Sequence, residues 1–542
     1  MERFFTRTKK IIFAKQKGIF SSSLILSSMI IVSSFFGFLR YRILSGYFTK
    51  EELDLFFASF RLPDLIFEIL ITGALTSTLI PIYIKYQKNK ELLEENISSI
   101  FNLLLIILLL FSAFLFVFMG TIIPLITPGF SKEKIDIIVF YSQMLLLGQL
   151  PFLIVGNFFT GIAQANKTFL LSALAPIIYN LAIIFSTVVF VGKFHLFAPV
   201  IGVMIGALLF FLIQLPIIFN LNFRFLFMIK ITHGVKEFFR MVVPRIMTVI
   251  VTQIDATIDL TLTTFLGAGN YTIFYFAQHL QLLPVSVFGI AYGQASLPYM
   301  SELYNEKKYT EFKNIVVNSI LSLFFFTIPI MGFFMFARTP LIRLFFGGAK
   351  FDWRATDWTA ITLSFFALSL PFHSIYYFVV RCFYAVLDSR TPFYVSLFSI
   401  GVNTLLSIYF VLFLKSRVWF LAIAFSISIT LNVLILLFLL MKKIGGLNLK
   451  VLFTETAKIC TAMAIASISS YYLMKLMDPL ILDTRRTINI FLLLLTSSIF
   501  YGMLYLFLSW LLNVKEIFMI SDLLRKVREH QKKIVELYIN YD

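Results

Sequence analysis

Apolar positions along this chain come in long unbroken blocks, with short charged or turn-rich segments between them, rather than as a stripe on one side of each helix. The blocks recur from Ser21 to Leu512 and reach about 20 residues or more, the length a helix needs to cross roughly 30 Å of hydrocarbon. Inside lipid every backbone N–H and C=O must be satisfied internally, which leaves helices or a closed barrel, and a barrel would show short alternating strands. The breaks predict helices near 20–44, 53–84, 96–124, 135–163, 168–192 and 197–221. Further helices follow near 238–266, 270–302, 312–336, 355–387, 391–414 and 418–441, and two more near 452–476 and 487–513. The predicted fold class is an all-α polytopic membrane protein with about fourteen transmembrane helices.

An internal repeat organises the first twelve. Leu150-Pro151-Phe152 recurs as Leu370-Pro371-Phe372, and an alanine follows each proline by fourteen residues, Ala165 and Ala385. Thr168 and Asn180 correspond to Thr391 and Asn403, Phe57-Ala58 to Phe276-Ala277, and Pro81 to Pro298, at offsets of 217 to 223. Each match is weak by itself, but the shared offset predicts two six-helix lobes of the same topology, related by a pseudo-symmetry axis along the membrane normal. The expected organisation is a basic cytoplasmic N-terminus over 1–19, an N-lobe over 20–222 and a C-lobe over 223–442. Helices 13 and 14 over 443–513 and a basic amphipathic cytoplasmic tail over 514–542 complete it. Two like lobes are expected to enclose a central cavity and expose it alternately by rocking.

Composition agrees: 59% of residues are hydrophobic, 14% are charged, and the mean hydropathy is +0.90. The net charge of +18 needs no nucleic-acid partner, because a membrane protein obeying the positive-inside rule becomes basic without one. With the N-terminus in the cytoplasm, Lys and Arg favour the cytoplasmic side by about two to one, and an even helix count brings both termini there. The loop with Arg338, Arg343, Lys350 and Arg354 is the exception, and a re-entrant or extra helix there would alter the later topology. The basic N-terminus leads into a run too long for a signal-peptide core, so the first helix is expected to be retained. Cys382 and Cys460 lie in different apolar segments without metal-ligand spacing and read as packing residues. No phosphate-binding Gly loop, metal-binding His pair or nucleophile elbow occurs, so the chain reads as a transporter rather than an enzyme, with no organic cofactor.

Charges inside the apolar blocks are the candidate chemistry, since each costs at least about 2.5 kcal/mol near the bilayer centre unless it meets water or a partner. Helix 2, "EELDLFFASFRLPDLIFEIL", carries Asp54, Arg61, Asp64 and Glu68 at spacings of 7, 3 and 4, which on a continuous helix share one face. Pro63 within it predicts a kink or a loosened turn beside Arg61. Arg40 and Arg42 end helix 1, Arg42 reading as a snorkelling residue and Arg40 as a cavity candidate. Asp255 and Asp259 share a face of helix 7 with Thr252 and Thr263, able to hold a cation or to pair with Arg40 or Arg61. His279, His373 and Arg381 complete the intramembrane set, the histidines reading first as hydrogen-bonded core residues.

These residues sit in segments that resemble a known family. The stretch "GFLRYRILSGYFTKEELDLFFASFRLPDLIFEILITGALTSTLIPIYIKY" is similar to the lipid II flippases of the MurJ (MviN) family, within the multidrug/oligosaccharidyl-lipid/polysaccharide exporter superfamily. So are "GIAQANKTFLLSALAPIIYN", "PRIMTVIVTQIDATIDLTLTTFL", "VSVFGIAYGQASLP" and "AVLDSRTPF", and the likeness runs through nearly the whole chain. It implies a flippase of the bacterial cytoplasmic (inner) membrane that turns lipid II, the undecaprenyl-pyrophosphate-linked disaccharide-pentapeptide of peptidoglycan and cell-wall biogenesis, to the outer leaflet. The head group would pass through the central cavity, with Arg40, Asp54, Arg61, Asp64, Glu68, His279 and Arg381 as substrate-binding candidates. Helices 13 and 14 would form a groove for the lipid tail. Asp255, Asp259 and Asn403 fall where some family members are proposed to bind sodium, so Na+ or the membrane potential is the implied coupling, with membrane lipids and cell-wall synthesis proteins as further partners.

The chain also departs from the family pattern: Ser34, Phe67 and His279 stand where arginines are usual, and Tyr41 where an acidic residue is usual. A cavity with fewer cations admits two rivals, an exporter of another polyprenyl-linked oligosaccharide and a cation-coupled drug exporter using Asp255 and Asp259. A scaffold that binds cell-wall enzymes without transport is a third. The extra helix pair argues against a small-drug exporter, which needs no tail groove.

Overall fold

The computed structural model of the chain describes residues 19–166, 168, 170–221, 223–480 and 486–517. Every regular element among them is helical. Eleven helices are long and apolar enough to cross a membrane, from Lys90–Ile126 to Thr487–Leu511. Three further helical stretches occupy the positions of predicted helices 1, 2 and 7: Ile19–Tyr47, the run from Lys50 to Tyr86, and His233–Phe265. They carry Arg40, the four charges of helix 2 and the aspartate pair, and they are not among the eleven. The segment with Arg338 and Arg343 is an eight-residue helix, Arg338–Phe345, about 12 Å long and too short to span. The basic N-terminus and nearly all of the predicted tail lie outside the described residues.

Contacts divide the chain into two compact units, residues 1–272 with 345–355, and residues 273–344 with 356–542. In the first, Ile19–Tyr47 packs along Leu170–Phe194, which packs on Phe197–Leu212. His233–Phe265 packs on the helical segment Glu68–Leu75 and on Lys90–Ile126. Residues 345–355 belong here because Gly348 lets two backbones touch: a Cβ on it would meet the Ser45 carbonyl oxygen at 2.2 Å. Phe345 and Phe346 pack beside it on the rings of Phe38 and Tyr41.

The second unit is built around Phe312, Val316, Ile320, Phe378, Cys382 and Leu436, all fully or nearly fully buried, so Cys382 is the packing residue its surroundings predicted. Helices Leu449–Leu480 and Thr487–Leu511 pack on each other and on Tyr309–Phe336. Their outer faces leave Phe453, Tyr472 and Leu476 exposed, as side chains that meet acyl tails should be.

Prolines shape both units through the carbonyls they leave behind. In place of one bent helix 2, the run from Lys50 to Tyr86 contains Lys50–Ser59, Arg61–Phe67, a π-helical stretch Glu68–Leu75 and Thr76–Tyr86. Pro63 has no N–H to give the Ser59 carbonyl, and the Ser142 hydroxyl, from Lys132–Gly148, donates to it instead at 2.9 Å. Pro329 likewise deprives the Phe325 carbonyl, which accepts from the Tyr505 hydroxyl at 2.8 Å, while Tyr501 donates to Pro329's own carbonyl at 2.8 Å. These two tyrosines of Thr487–Leu511 fasten the C-terminal helix pair to Tyr309–Phe336. Two π-helical stretches begin at Glu68 and at Val285, 217 residues apart, the same offset as Pro81 and Pro298.

Candidate functional site

The four charges of helix 2 meet different groups along its length. Asp54 is 1% exposed. Its carboxylate accepts from the backbone N–H of Gly269 and from the N–H and hydroxyl of Thr272, the last two at 2.7 Å. Gly269 precedes and Thr272 lies in the first turn of Asn270–Pro284, where backbone donors have no intrahelical acceptor, so Asp54 serves as a carboxylate cap on a helix 215 to 218 residues away in sequence. The Lys50 carbonyl lies 2.9 Å from the same Thr272 hydroxyl and shares its single proton, and the Lys50 ammonium pairs with Asp352 at 3.0 Å. Together these contacts tie the start of helix 2 to the 266–272 loop and to residues 345–355.

Arg61 turns the other way, toward His233–Phe265. Its Nε donates to Thr257 Oγ1 at 2.9 Å, and a terminal nitrogen donates to the Gln253 carbonyl at 2.6 Å and to that residue's side-chain oxygen. Its positive charge also acts on buried Asp259, which shares an electrostatic field with Asp255 one turn earlier. The hydroxyls of Thr252 and Thr263 are spent on Val249 and Leu260 carbonyls of their own helix. Asn403, the third sodium candidate, is buried in Arg390–Ile408 of the second unit. Among the described residues no three His, Cys, Asp or Glu side chains gather as a metal cluster.

Asp64 lines a cavity of about 600 Å³ within the first unit. Ser34 and Phe67, two of the positions where arginine was looked for, line it as well, together with Gln149, Asn157, Thr160, Gln164 and Tyr179. Gln149 gets there because Pro151 interrupts the predicted fourth helix: Lys132–Gly148 ends, Leu150–Ala165 begins, and Gln149 is the junction. Arg40 lies half-buried over the ring of Tyr41 at 4.6 Å, and its charge, like those of Arg61 and Glu68, acts on the Asp64 carboxylate. Sequence reasoning passed over the amide and hydroxyl lining. The signal was present, since Asn157, Thr160 and Gln164 at spacings of 3 and 4 form one polar stripe in an otherwise apolar helix.

The remaining candidates belong to the second unit. His279 bonds through Nδ1 to the Tyr275 carbonyl at 3.0 Å, and its ring lies tilted against the Tyr275 ring with centroids 3.9 Å apart. His373 is buried, within 3.3 Å of the Gln281 amide and stacked on Tyr377. Both are thus held in the way core histidines are. Arg381 lies half-buried over the Tyr384 ring at 5.4 Å.

Long apolar helices with buried ionic groups and a polar-lined cavity are the build of a multi-pass membrane protein. Residues 47–483 match the sequence model of the lipid II flippase MurJ family, and the chain belongs to that family. A probable lipid II flippase MurJ of Borreliella burgdorferi is 27% identical over 459 residues, covering 82% of this chain and 88% of that protein. The lipid II flippase MurJ of Thermosipho africanus is 29% identical over 425 residues, covering 78% and 86%. A solved structure of lipid II flippase MurJ in an inward closed conformation superposes with a TM-score of 0.73 at 26% identity, covering 90% of this chain and 98% of that one. An inward-facing multidrug resistance MATE transporter shares the fold at a TM-score of 0.65 and 14% identity, covering 78% of this chain and 98% of that one.

Proposed function

We propose that this protein flips lipid II from the inner to the outer leaflet of the bacterial cytoplasmic membrane by alternating access. The observation that carries the reading is the family match over residues 47–483, which takes in predicted helices 2 to 13. In this reading fourteen helices span the membrane as two six-helix lobes plus a pair, with both termini cytoplasmic. Arg40 meets the pyrophosphate, for which a guanidinium provides charge-assisted, bidentate hydrogen bonds. Asp54 acts as a latch: with the N-terminus inside, its bonds to Gly269 and Thr272 lie on the outer side, and they must break for that side to open. Helices 13 and 14 guide the polyprenyl tail, which is too apolar for an aqueous path. Coupling falls to Na+ or to the membrane potential acting on Asp255 and Asp259.

Complementation tests this. The protein should restore growth to a bacterium depleted of its own lipid II flippase, and Arg40→Ala should abolish the rescue at equal expression. Failure of the wild-type chain to rescue at normal membrane levels would count against lipid II. A second reading, export of another polyprenyl-linked oligosaccharide, is favoured by one observation: Ser34 and Phe67 line a cavity whose charged side chain is a carboxylate. Comparing which lipid-linked saccharide protects the purified protein against heat separates the two.

A further inference from the structure

The cavity of the first unit differs in chemistry from a pyrophosphate site. Its Asp64 carboxylate accepts hydrogen bonds only. Gln149 is 5% exposed, gives its amide N–H to the Tyr179 hydroxyl at 3.3 Å, and leaves its buried Oε1 without a partner. The Asn157 amide gives one N–H to the Leu153 carbonyl at 2.8 Å, and its side-chain oxygen is a further acceptor. Thr160 gives its hydroxyl proton to Gln214 at 2.6 Å and retains only lone pairs. Asp64, Gln149, Asn157 and Thr160 thus each contribute an acceptor oxygen among the lining residues, which hydroxyl, amide N–H and ammonium groups would satisfy.

We infer that this cavity is the subsite for the donor-bearing part of the transported head group, with Asp64 pairing a primary ammonium of the peptide and Gln149, Asn157 and Thr160 accepting from its hydroxyl or amide groups. The inference rests on the flippase reading above and assigns the pyrophosphate elsewhere. A volume of about 600 Å³ suits a sugar-sized or short peptide moiety and lies within the usual range of ligand pockets. Asp64 is a binding residue in this scheme, and Gln149 at its proline-made junction is positioned before any ligand arrives.

The test uses the full-length protein purified in detergent and three probes: undecaprenyl pyrophosphate, the same carrier with disaccharide-pentapeptide bearing a free amine, and that lipid with the amine acetylated. Apparent affinity is read from protection against heat. The wild-type protein should prefer the free amine over the acetylated form about tenfold, and Asp64→Asn should reduce the preference to about one. Undecaprenyl pyrophosphate should protect wild type and Asp64→Asn alike, which also reports that the variant is folded. Asn157→Leu should weaken both saccharide lipids equally and spare the bare carrier. Equal wild-type affinity for the free and acetylated amines, or a preference that survives in Asp64→Asn, would overturn the subsite while leaving the flippase reading intact. If neither saccharide lipid binds more tightly than the bare carrier, both fall together.

Discussion

Replacing Asp54 by Asn tests the latch at a single atom. The carboxylate accepts three hydrogen bonds, from the Gly269 N–H, the Thr272 N–H and the Thr272 hydroxyl. An asparagine keeps one acceptor oxygen and turns an NH2 group toward donors that have no other acceptor within the helix they begin. At least one bond to a charged acceptor is lost and one donor faces another, which costs about 2 to 3 kcal/mol. That is roughly a 30- to 150-fold increase in the open population of this junction, at about 1.4 kcal/mol per tenfold. Hydrogen exchange at the Gly269 and Thr272 amides reads this population directly. In Asp54→Asn both amides should exchange about 30- to 150-fold faster, while amides within Tyr309–Phe336 keep their wild-type rates. Thr272→Val, which removes the hydroxyl bond and leaves both N–H bonds, should accelerate exchange about tenfold or less. Unchanged protection of both amides in Asp54→Asn would refute the capping role and, with it, the latch.

Further outcomes follow from the proline sites and the surface charges. Ser142→Ala strands the Ser59 carbonyl and should lower the unfolding free energy by about 1 to 3 kcal/mol; adding Pro63→Ala, which restores an N–H, should recover part of the loss in a thermal double-mutant cycle. Tyr505→Phe should likewise loosen the C-terminal helix pair, seen as faster exchange in Thr487–Leu511, with partial rescue by Pro329→Ala. Asp388, in the loop before Arg390–Ile408, bonds Lys443 at 2.7 Å and the Thr391 N–H and hydroxyl. Burial pushes its carboxyl up, but these bonds together outweigh it and hold the pKa down at about 2. A folded pKa below the unfolded value of about 3.9 means a stabilisation fully present above pH 4 and lost as pH falls toward 2. The wild-type advantage over Asp388→Asn in thermal unfolding, about 1 kcal/mol after solvent screening, should therefore be constant from pH 6 to 8 and shrink between pH 4 and 2.

Much of the fold was legible because lipid imposes a simple rule: among the described residues eleven helices are long and apolar enough to cross a membrane, while those at predicted positions 1, 2 and 7 are not among them and the second is broken into four stretches. Two of the described π-helical stretches, Glu68–Leu75 and Val285–Ile290, begin 217 residues apart, the offset of Pro81 and Pro298. What the pattern could not show was direction. Spacing of 7, 3 and 4 places the charges along the helix without naming what they meet: Asp54 bonds Gly269 and Thr272, Arg61 bonds Gln253 and Thr257, and Asp64 lines the cavity. Partners distant in sequence, such as Ser142 for Ser59 or Thr272 for Asp54, leave no local signal, because a serine or threonine in a membrane helix usually bonds its own backbone. The cavity lining was legible in principle as a polar stripe and was hidden by attention to charge: amides and hydroxyls carry no cost that flags them as charges do.

The central claim is that this protein carries lipid II across the membrane. Depleting it in its native bacterium and measuring the fraction of lipid II reachable from the outer leaflet tests that most directly. The account predicts that total lipid II rises while the outer-leaflet fraction collapses; an outer-leaflet fraction that stays normal after the protein is gone would contradict it.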